Sequence, residues 1–433
     1  MNKSVWQNDI KMRERPSLVG DIKTDVLIIG GGLAGVLTAY ILKEKGIDCI
    51  VAEAEKTGFG TTKNTTGKIT FQHGLIYEKL LNSFGKEIAS GHLGAHKKAL
   101  LKYEELAKGI DCDFEQRDNY VYSLTDREKC ENEVAALEKI GYKALFCEST
   151  ELPFKIAGAV KFEKQAQFNP MKFLSGIAGG LNIYENTRIL SVEDNVAFGE
   201  RGTIAAEKII VATHFPFLNL HGSYFLKLYQ HRSYVSAFSG CKDLNGMFVD
   251  YDKKGLSFRN YGDLLLLGGF SERTGKQTEA WQGLRDFAKK YYPNSKEQFF
   301  WAAQDCMSLD GMAYIGRYSL NTPNLFAATG FNKWGMTGAM LSAMILSDIV
   351  IDKPNPFAYT FTPSRSILKP QLLINGLESA KNLLTLTPKR CSHLGCALKW
   401  NKAEHTWDCS CHGSRFSKDG KVLDNPANSD LNH

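Results

Sequence analysis

The stretch DVLIIGGGLAG, residues 25–35, decides the fold of the first part of this chain. Residues 26–29 form an apolar run typical of a buried strand, and the glycines follow at once. Gly30 permits a tight turn, Gly32 lets the backbone approach a pyrophosphate, and Gly35 lets a helix pack on the strand. That helix is predicted from apolar residues at i, i+3, i+4, i+7 and i+8, namely Leu33, Val36, Leu37, Tyr40 and Ile41.

A second strand is predicted at residues 48–52 and ends at Glu53, 18 residues past Gly35. A carboxylate at this place can hydrogen-bond a ribose hydroxyl. The order strand, loop, helix, strand therefore favours a dinucleotide-binding site over a chance glycine-rich turn. No second GxGxxG follows that could open a separate nicotinamide domain, so FAD is favoured over NAD.

Two later stretches have the pattern expected at the flavin end of such a site. Residues 310–316 read DGMAYIG, and residues 324–337 read NLFAATGFNKWGMT, a strand, a glycine-rich turn and the start of a helix. A helix N-terminus beneath the isoalloxazine would stabilise negative charge on the pyrimidine edge of reduced flavin. The residues predicted to bind the cofactor here are Asp310, Gly330, Lys333, Trp334, Gly335, Met336 and Thr337, with a solvated lysine as the alternative for Lys333.

Residues 23–350 resemble the FAD-dependent oxidoreductases of the D-amino-acid oxidase, glycine oxidase and sarcosine oxidase superfamily. The resemblance implies an α/β fold, in which a Rossmann-like FAD-binding domain carries an inserted β-rich substrate domain. It also implies that the loop at residues 60–68, with Thr61 and Thr62, runs along the flavin. The boundaries expected are 1–75, 160–215 and 300–352 for the FAD-binding domain, and 76–159 and 216–299 for the substrate domain.

Four residues near the C-terminus form a second pattern that carries chemistry. Cys391 and His393 read CSH, and after 15 further residues Cys409 and His412 read CSCH. Two cysteines and two histidines suit either a structural zinc ion or a [2Fe–2S] cluster with mixed ligands. Each loop holds one more cysteine, whereas a zinc ribbon would use a C-x-x-C pair twice. The pattern therefore favours the cluster.

This segment resembles a Rieske centre, in which the cysteines hold one iron and the histidines the other. In Rieske proteins of the cytochrome bc type the extra pair, here Cys396 and Cys411, is joined as a disulfide, and the resemblance implies the same bond here. The most oxidising members have a serine, matched by Ser414, and a tyrosine two residues later. This chain has Phe416 instead.

The C-terminal segment is short for such a domain. Residues 353–385 are predicted to be a proline-punctuated linker with one helix, and residues 386–433 a small Rieske-type β segment. The strands that usually precede the first ligand loop are missing. Either the flavoprotein body shields the cluster, or the cluster is unusually exposed.

Composition limits the remaining function classes. The chain has 433 residues and a net charge of +6, with lysines and arginines scattered along it, which argues against nucleic acid as a partner. No apolar run reaches the ~18 residues of a membrane span, and the N-terminus lacks an apolar core of a signal peptide. We therefore expect a cytoplasmic protein whose partners are a small-molecule substrate and an external electron acceptor or donor.

Three histidines are weaker candidates. His92 and His96 lie one helical turn apart, and a solvated helix face is favoured over a metal pair because no third ligand is evident nearby. His73 either lines the flavin site or is a hydrogen-bonded core residue.

Three further residues have two readings each. Arg232 and Tyr234 alternate on a predicted strand, where they could hold a substrate carboxylate. The alternative, which we favour, is that they lie on an exposed face of the strand. Cys306 either carries a covalent bond to the flavin or, as we favour, is a buried unreactive thiol.

The predicted function is an FAD-dependent oxidoreductase that oxidises a small amine or amino-acid-like substrate and passes electrons through the Rieske cluster. The alternative is an electron-transfer flavoprotein or reductase that uses the cluster to connect redox partners. No side-chain base is identified by the sequence, so the catalytic residues stay unassigned.

Overall fold

Three sheets organise the molecule, whose computed structural model describes residues 3–8, 10, 12–252, 255–276 and 281–431. The helices are α1 (Leu33–Glu44), α2 (Tyr77–Ala107), α3 (Arg127–Lys139), α4 (Pro170–Ile177), α5 (Tyr224–Lys227), α6 (Trp281–Tyr291), α7 (Gly335–Val350), α8 (Ala358–Phe361) and α9 (Pro370–Leu384), with 3-10 turns at Val5–Gln7 and Thr62–Asn64. The strands are β1 (Ile22–Ile29), β2 (Cys49–Ala52), β3 (Lys68–Ile69), β4 (Glu115–Ser123), β5 (Leu145–Cys147), β6 (Gly158–Gln167), β7 (Asn182–Tyr184), β8 (Ile189–Glu193), β9 (Val196–Gly199), β10 (Thr203–Val211), β11 (Leu228–Ser239), β12 (Met247–Asp250), β13 (Ser257–Tyr261), β14 (Leu264–Arg273), β15 (Lys296–Ser308), β16 (Tyr314–Arg317), β17 (Leu325–Thr329), β18 (Leu398–Asn401), β19 (Thr406–Cys409), β20 (Arg415–Ser417) and β21 (Val422–Asp424).

The first sheet has the order β16-β17-β10-β1-β2-β7, and a hairpin of β8 and β9 extends it from β10. Strands β17, β10, β1, β2 and β7 run parallel. The second half of its central strand β1, residues 26–29, is apolar and buried because both faces are covered there. Val26 and Ile28 pack with α1 and α7, whereas Leu27 and Ile29 pack into a second core with Phe215 on the opposite face.

The second sheet has the order β15-β11-β14-β13-β12-β4-β6-β3, with β5 beside β6. Its strands come from both sides of β7–β10 in sequence, so the chain passes between the two sheets more than once. The predicted α/β fold with a β-rich second unit is confirmed. The domain boundaries stay a prediction. Parts of β6 and β15 were assigned to the FAD-binding domain, but both strands belong to the second sheet. Strand pairing would therefore place both strands in the substrate domain.

The third sheet is antiparallel, has the order β18-β19-β20-β21, and follows α9. Its apolar core is small and contains the cysteines of both ligand loops together with Leu398, Phe416 and Ala427. Among the described residues, no helix combines the length and the apolar character needed to cross a bilayer.

Candidate flavin site and iron–sulfur centre

The glycine turn after β1 fits only glycine at two positions. Gly30 has φ +113°, and a Cβ there would lie 2.6 Å from the carbonyl oxygen of Ala212. A Cβ on Gly35 would lie 1.9 Å from the carbonyl oxygen of Gly30. The turn can therefore sit between β10 and α1 only because these side chains are absent, as the nucleotide-binding prediction requires.

Glu53 lies at the end of β2, beside this turn. Its Oε2 accepts a 2.6 Å hydrogen bond from the Gly31 amide, and its Oε1 accepts one from Glu55 at 2.9 Å. Burial raises the pKa of this carboxyl, and the two backbone hydrogen bonds act against that rise. Thr62 completes the same end of the site, since its Oγ1 accepts from the Leu33 amide at the start of α1 at 3.0 Å.

The structure thus gathers Gly30, Gly32, Gly35, Glu53 and Thr62 at one edge of the first sheet. A Cβ on Gly32 would face Thr62 Oγ1 at 3.5 Å, and Thr61 precedes Thr62 in the same loop with a half-buried side chain. Backbone amides of a helix N-terminus, small residues and a carboxylate are the groups that hold an adenosine diphosphate moiety. These residues fit FAD.

The flavin end lies between β17 and α7. Gly330 turns the chain with φ +68°, and α7 begins at Gly335 with Trp334 as its N-cap. Lys333 keeps exposed surface, yet burial of its ammonium lowers its pKa. Asp305 is half-buried, and burial raises its pKa to about 6, opposed by Lys333. Lys333 and Asp305 therefore place a positive and a negative charge near one another beside the turn that is predicted to meet the flavin.

The side chains of Met336 and Thr337 are buried in the core. The Met336 carbonyl accepts a hydrogen bond from the Tyr103 hydroxyl at 2.9 Å. Thr337 is buried, and its hydroxyl donates to the Thr70 carbonyl at 3.1 Å. The Met336 carbonyl and the Thr337 hydroxyl therefore hold the first turn of α7 in place. The backbone amides of this turn are the groups left to meet a flavin.

Asp310 is predicted to contact the cofactor, and its carboxylate is buried against other parts of the chain. Arg365 donates to its Oδ2 at 3.0 Å and to its Oδ1 at 3.1 Å. The Met312 amide also donates to Oδ1. This residue therefore anchors the segment after α8, and its contact with a flavin stays a prediction. The sequence shows the turn but not its distant partner.

Arg232 and Tyr234 fit neither of their two readings. Arg232 is almost fully buried and makes a two-pronged ion pair with Glu404, with distances of 2.8 and 2.5 Å. Tyr234 is buried with its ring against Trp281. The expected exposed strand face is wrong because Glu404 of the C-terminal segment covers Arg232 and Trp281 of α6 covers Tyr234.

Cys306 lies at the end of β15 with its sulfur 3.5 Å from the Thr329 hydroxyl. It is buried, and burial raises the pKa of the thiol to about 12. A thiol this far from ionisation is a poor nucleophile, so the structure supports the favoured reading of a buried unreactive cysteine.

The four predicted cluster ligands come together in the C-terminal segment. Cys391 and Cys409 are buried, and the rings of His393 and His412 are 5.0 Å apart between centroids. Hydrogen bonding from Cys409 lowers the pKa of Cys391, against the opposing effect of burial. Such a thiol gives up its proton readily to a metal.

The geometry of the two ligand loops fits a metal centre. Two backbone hydrogen bonds close each loop. In the first, the Gly395 amide donates to the Cys391 carbonyl at 2.9 Å and the Cys391 amide to the Cys396 carbonyl at 2.8 Å. In the second, the Gly413 amide donates to the Cys409 carbonyl at 3.0 Å and the Cys409 amide to the Ser414 carbonyl at 2.9 Å. Within the described part of the chain, His393 Nδ1 is buried and has no hydrogen-bond partner. An orphaned buried nitrogen at a predicted iron ligand is what a [2Fe–2S] cluster would satisfy.

The sulfurs of Cys396, Cys409 and Cys411 lie within 4.8 Å of one another. Cys396 and Cys411 are free thiols in the structure, so the expected disulfide stays a prediction. Their proximity gives the two thiols a high effective concentration. Mass spectrometry after alkylation without reductant tests the bond, and alkylation of both cysteines in cluster-loaded protein would exclude it.

The flavoprotein body shields the histidine side of the cluster loops. Gln230 donates to the His412 carbonyl at 2.9 Å, Gln304 to the Gly413 carbonyl at 2.8 Å, and Arg273 to the Cys411 carbonyl at 2.8 Å. The His412 side chain is buried. Of the two arrangements left open by the sequence, shielding is therefore the one observed.

Comparisons with known proteins agree with both halves of this description. Residues 25–349 match the family of FAD-dependent oxidoreductases, and residues 369–433 match the Rieske [2Fe-2S] domain. The Bacillus subtilis protein YhfW, whose name describes a Rieske 2Fe-2S iron–sulfur protein, is 32% identical over 489 aligned positions, with 98% of this chain and 95% of that protein covered.

Two solved structures show the fold. Glycine oxidase from Bacillus cereus has a TM-score of 0.64 at 19% identity, and the alignment covers 80% of this chain and all of that one. L-proline dehydrogenase from P. horikoshii has a TM-score of 0.66 at 17% identity, with coverage of 80% and 98%. The resemblance, the cofactor pair of FAD and a [2Fe–2S] cluster, and the oxidoreductase class are thereby confirmed. The Rieske match begins at residue 369, so it includes α9, which we had placed in the linker.

Proposed function

The chain belongs to the family of FAD-dependent oxidoreductases and carries a Rieske domain, and on this premise we propose that it oxidises a small amine or amino acid and transfers the electrons to its own cluster. When bound, the flavin takes a hydride from the substrate and the cluster takes electrons singly. The chain's own residues bind both groups and fix the distance between them. An external electron acceptor completes the proposal.

One loop carries the proposal because it touches both sites. Thr329, directly before the flavin turn, donates from its hydroxyl to the His214 carbonyl at 2.5 Å. The next residue, Phe215, is buried and lies edge-on to the rings of His393 and His412, at 6.4 and 6.1 Å between centroids. Two consecutive residues thus connect the flavin turn with the predicted iron ligands.

The same loop is held to the cluster segment by Asn425. Its side-chain amide donates to the carbonyl of Phe215 at 2.8 Å and to the carbonyl of Thr213. Asn425 also accepts a bond from Gln230 through its own carbonyl, at 2.8 Å. Because these contacts join three segments, the cluster loops have one fixed position against the flavin domain, which supports electron transfer within the chain.

The substrate class rests on charged side chains and on the relatives. Lys333 and Asp305 lie beside the flavin turn, where the Asn332 amide donates to the Cys306 carbonyl at 2.9 Å, and Lys68 on β3 is half-buried with its pKa lowered to about 7 by burial. Such a lysine carries its charge below about pH 7, where it can pair with a carboxylate. Glycine oxidase and L-proline dehydrogenase are named for amino acids, and we extend that class to this chain.

An acceptor has a place to approach the first cluster loop. Ser392 and Leu394, on either side of His393, are both exposed. The second loop is covered by the flavoprotein body, so we place the acceptor at the first loop.

Anaerobic reduction of the full-length holoprotein tests the proposal. A panel of small amines and amino acids is added, and flavin bleaching is followed by absorbance while cluster reduction is followed by electron paramagnetic resonance. One substrate should bleach the flavin and then produce the signal of a reduced Rieske cluster. In Cys391→Ser the same substrate should bleach the flavin without that signal.

Two results would contradict the proposal. Bleaching by a substrate with the cluster still oxidised, although dithionite reduces it, would exclude transfer within the chain. Failure of every panel member to bleach a flavin that dithionite reduces would exclude this substrate class.

A further inference from the structure

Three buried histidines meet beside the first turn of α7, next to the predicted flavin end of the first cofactor site. His92 and His96 lie one turn apart on α2 and are 1% and 3% exposed, so the expected solvated helix face is wrong. His73, in the loop after β3, is 6% exposed. The ring centroids of His73 and His96 are 4.2 Å apart, and those of His92 and His96 are 4.6 Å apart.

The spacing of the three side chains is close to that of a metal site. One ring nitrogen from each histidine can be chosen so that all three lie within 4.8 Å of one another. A tetrahedral zinc ion with Zn–N bonds of 2.0–2.1 Å places its nitrogens about 3.3 Å apart. Small side-chain rotations would therefore bring the three nitrogens onto one ion.

Two ring nitrogens of this cluster lack partners in the structure. Nδ1 of His92 and Nδ1 of His96 are buried and, among the described residues, make no hydrogen bond. Buried polar atoms are nearly always paired, so two unpaired nitrogens on adjacent histidines need an explanation such as an ion. The sequence shows the i, i+4 pair but not the third ligand, because His73 is brought in by a loop.

The protonation state of the cluster suits a metal. Burial lowers the pKa of all three histidines, that of His92 to about 3, with Arg365 adding to the effect and Asp310 opposing it. The imidazoles are thus neutral, which is the form that coordinates metals. Arg365 and Asp310 are paired with each other, so neither is an unpaired charge beside the cluster.

The surroundings of His73 orient it as a ligand. Its Nε2 lies 3.1 Å from the Thr70 carbonyl, to which it can donate, and this leaves Nδ1 as the nitrogen with a free lone pair. Metal-bound histidines commonly donate their second nitrogen to a backbone carbonyl in this way. Trp334 stacks on the His73 ring at 5.0 Å, and Phe361 lies 5.6 Å from the His92 ring, so apolar groups enclose the space.

We propose that His73, His92 and His96 bind one divalent transition-metal ion of the zinc class, with a water molecule or small anion as the fourth ligand. Three imidazoles suit zinc and its neighbours and not magnesium or calcium. The ion would link α2, the loop after β3 and, through the 3.0 Å contact between His73 Nε2 and Thr337 Oγ1, the helix that begins at the flavin site. It would tie together elements separated by more than 200 residues.

Zinc loading of the full-length holoprotein tests this site. The protein is dialysed against zinc and then against zinc-free buffer, and zinc, iron and sulfide are measured per chain. One zinc per chain is expected, with iron and sulfide unchanged so that zinc has not entered the cluster. Anomalous diffraction at the zinc edge should place the ion among the three imidazoles.

Variants assign the ligands. His92→Phe keeps an aromatic ring among the apolar neighbours but removes the ligand nitrogens. His96→Gln keeps a polar side chain but replaces the imidazole with an amide. Loss of an outer partner weakens metal sites by 10–100-fold, so loss of a direct ligand should weaken zinc binding by at least about 100-fold. His405→Asn is the matched control, because His405 is exposed and its φ of +55° suits asparagine.

Thermal unfolding gives a second readout. Zinc should raise the Tm of the wild-type protein and of His405→Asn, but not that of His92→Phe or His96→Gln. Flavin content and near-ultraviolet circular dichroism establish that each variant is folded. Equal zinc retention by the wild type and a folded His92→Phe, or an anomalous peak elsewhere, would overturn the proposal.

Discussion

The first sheet and the C-terminal sheet differ in the size of the apolar core that supports their predicted cofactor sites. The first sheet has apolar layers on both faces, and its glycine turn is built from local geometry. The C-terminal sheet encloses a core of only a few apolar residues, four of which are the loop cysteines. A core this small cannot support a domain by itself.

Polar contacts with the flavoprotein body take the place of the missing core. Arg415 is buried and pairs with Asp408, Glu404 and Asp424, and Glu404 in turn pairs with Arg232 of β11. Side chains from β11, β14 and β15 donate to carbonyls of the second ligand loop. The comparison teaches that a shortened cluster segment can fold if a neighbouring domain provides its base.

The largest expected effect separates the two cofactors. Cys391→Ser removes a predicted iron ligand from a loop that makes no contribution to the glycine turn, so the cluster should be lost while FAD is retained. Iron and sulfide per chain should fall to near zero and flavin should stay at one per chain. Cys147→Ser, a half-buried cysteine on β5, is the control that should keep both. Loss of flavin in Cys391→Ser would mean that the two regions are not independent.

A smaller effect should follow when the ionic base is broken. Glu404→Gln removes the carboxylate that Arg232 and Arg415 share and leaves Arg232 with Asp424 at 3.8 Å. Removing one member of a buried pair costs about 3–5 kcal/mol. Calorimetry should show the cluster-bearing segment unfolding at a lower temperature while the main transition is kept. Glu163→Gln, in an exposed pair with Lys161, should cost no more than about 1 kcal/mol. Equal effects of the two changes would contradict the proposed role of Glu404.

Acid should break the same base. Burial raises the pKa of Glu404, but Arg232 and Arg415 outweigh it and lower the pKa to about 2. A carboxyl with a depressed folded-state pKa stabilises the protein above the unfolded value of about 4.5 and loses this contribution as pH falls toward 2. Stability of the wild-type segment should therefore decline in this window, and Glu404→Gln should decline less. A parallel decline in both proteins would assign the acid sensitivity to other groups.

The glycines of the two ligand loops sharpen the comparison further. Gly413 has φ +92°, and a Cβ there would lie 2.5 Å from the Gln230 Cβ, whereas Gly395 has φ +73° with open space around it. Gly395→Ala should cost only backbone strain, about 1–3 kcal/mol, and Gly413→Ala should cost more because the loop must also move away from β11. Denaturant unfolding followed by cluster absorbance measures the difference. Equal costs would mean that Gln230 does not constrain the loop.

The sequence predicts those parts of the molecule whose structure depends on residues close together in the chain. The glycine turn, Glu53 and the ligand loops each lie within a short stretch whose spacing reflects its geometry. It failed where the partner is distant in the chain: Glu404 is 172 residues from Arg232, and Arg365 is 55 residues from Asp310. Nothing in a strand pattern indicates that another segment covers it, so the interface could be found only in the folded chain.

The smallest expected effect concerns the potential of the cluster. Ser414 is buried, and its Oγ accepts a hydrogen bond from the Ala427 amide at 2.9 Å, while its hydroxyl donates to the sulfur of the predicted ligand Cys391 and lowers the pKa of that thiol. Phe416 is buried on β20 opposite Trp407 and offers no second donor. Phe416→Tyr should add one, stabilise the reduced cluster and raise its potential within the ~ −150 to +300 mV range of Rieske centres. Phe198→Tyr, on the exposed hairpin of the first sheet, should leave the potential unchanged. Redox titration monitored by electron paramagnetic resonance measures both variants, and an unchanged or lowered potential in a folded Phe416→Tyr would show that this position does not tune the cluster.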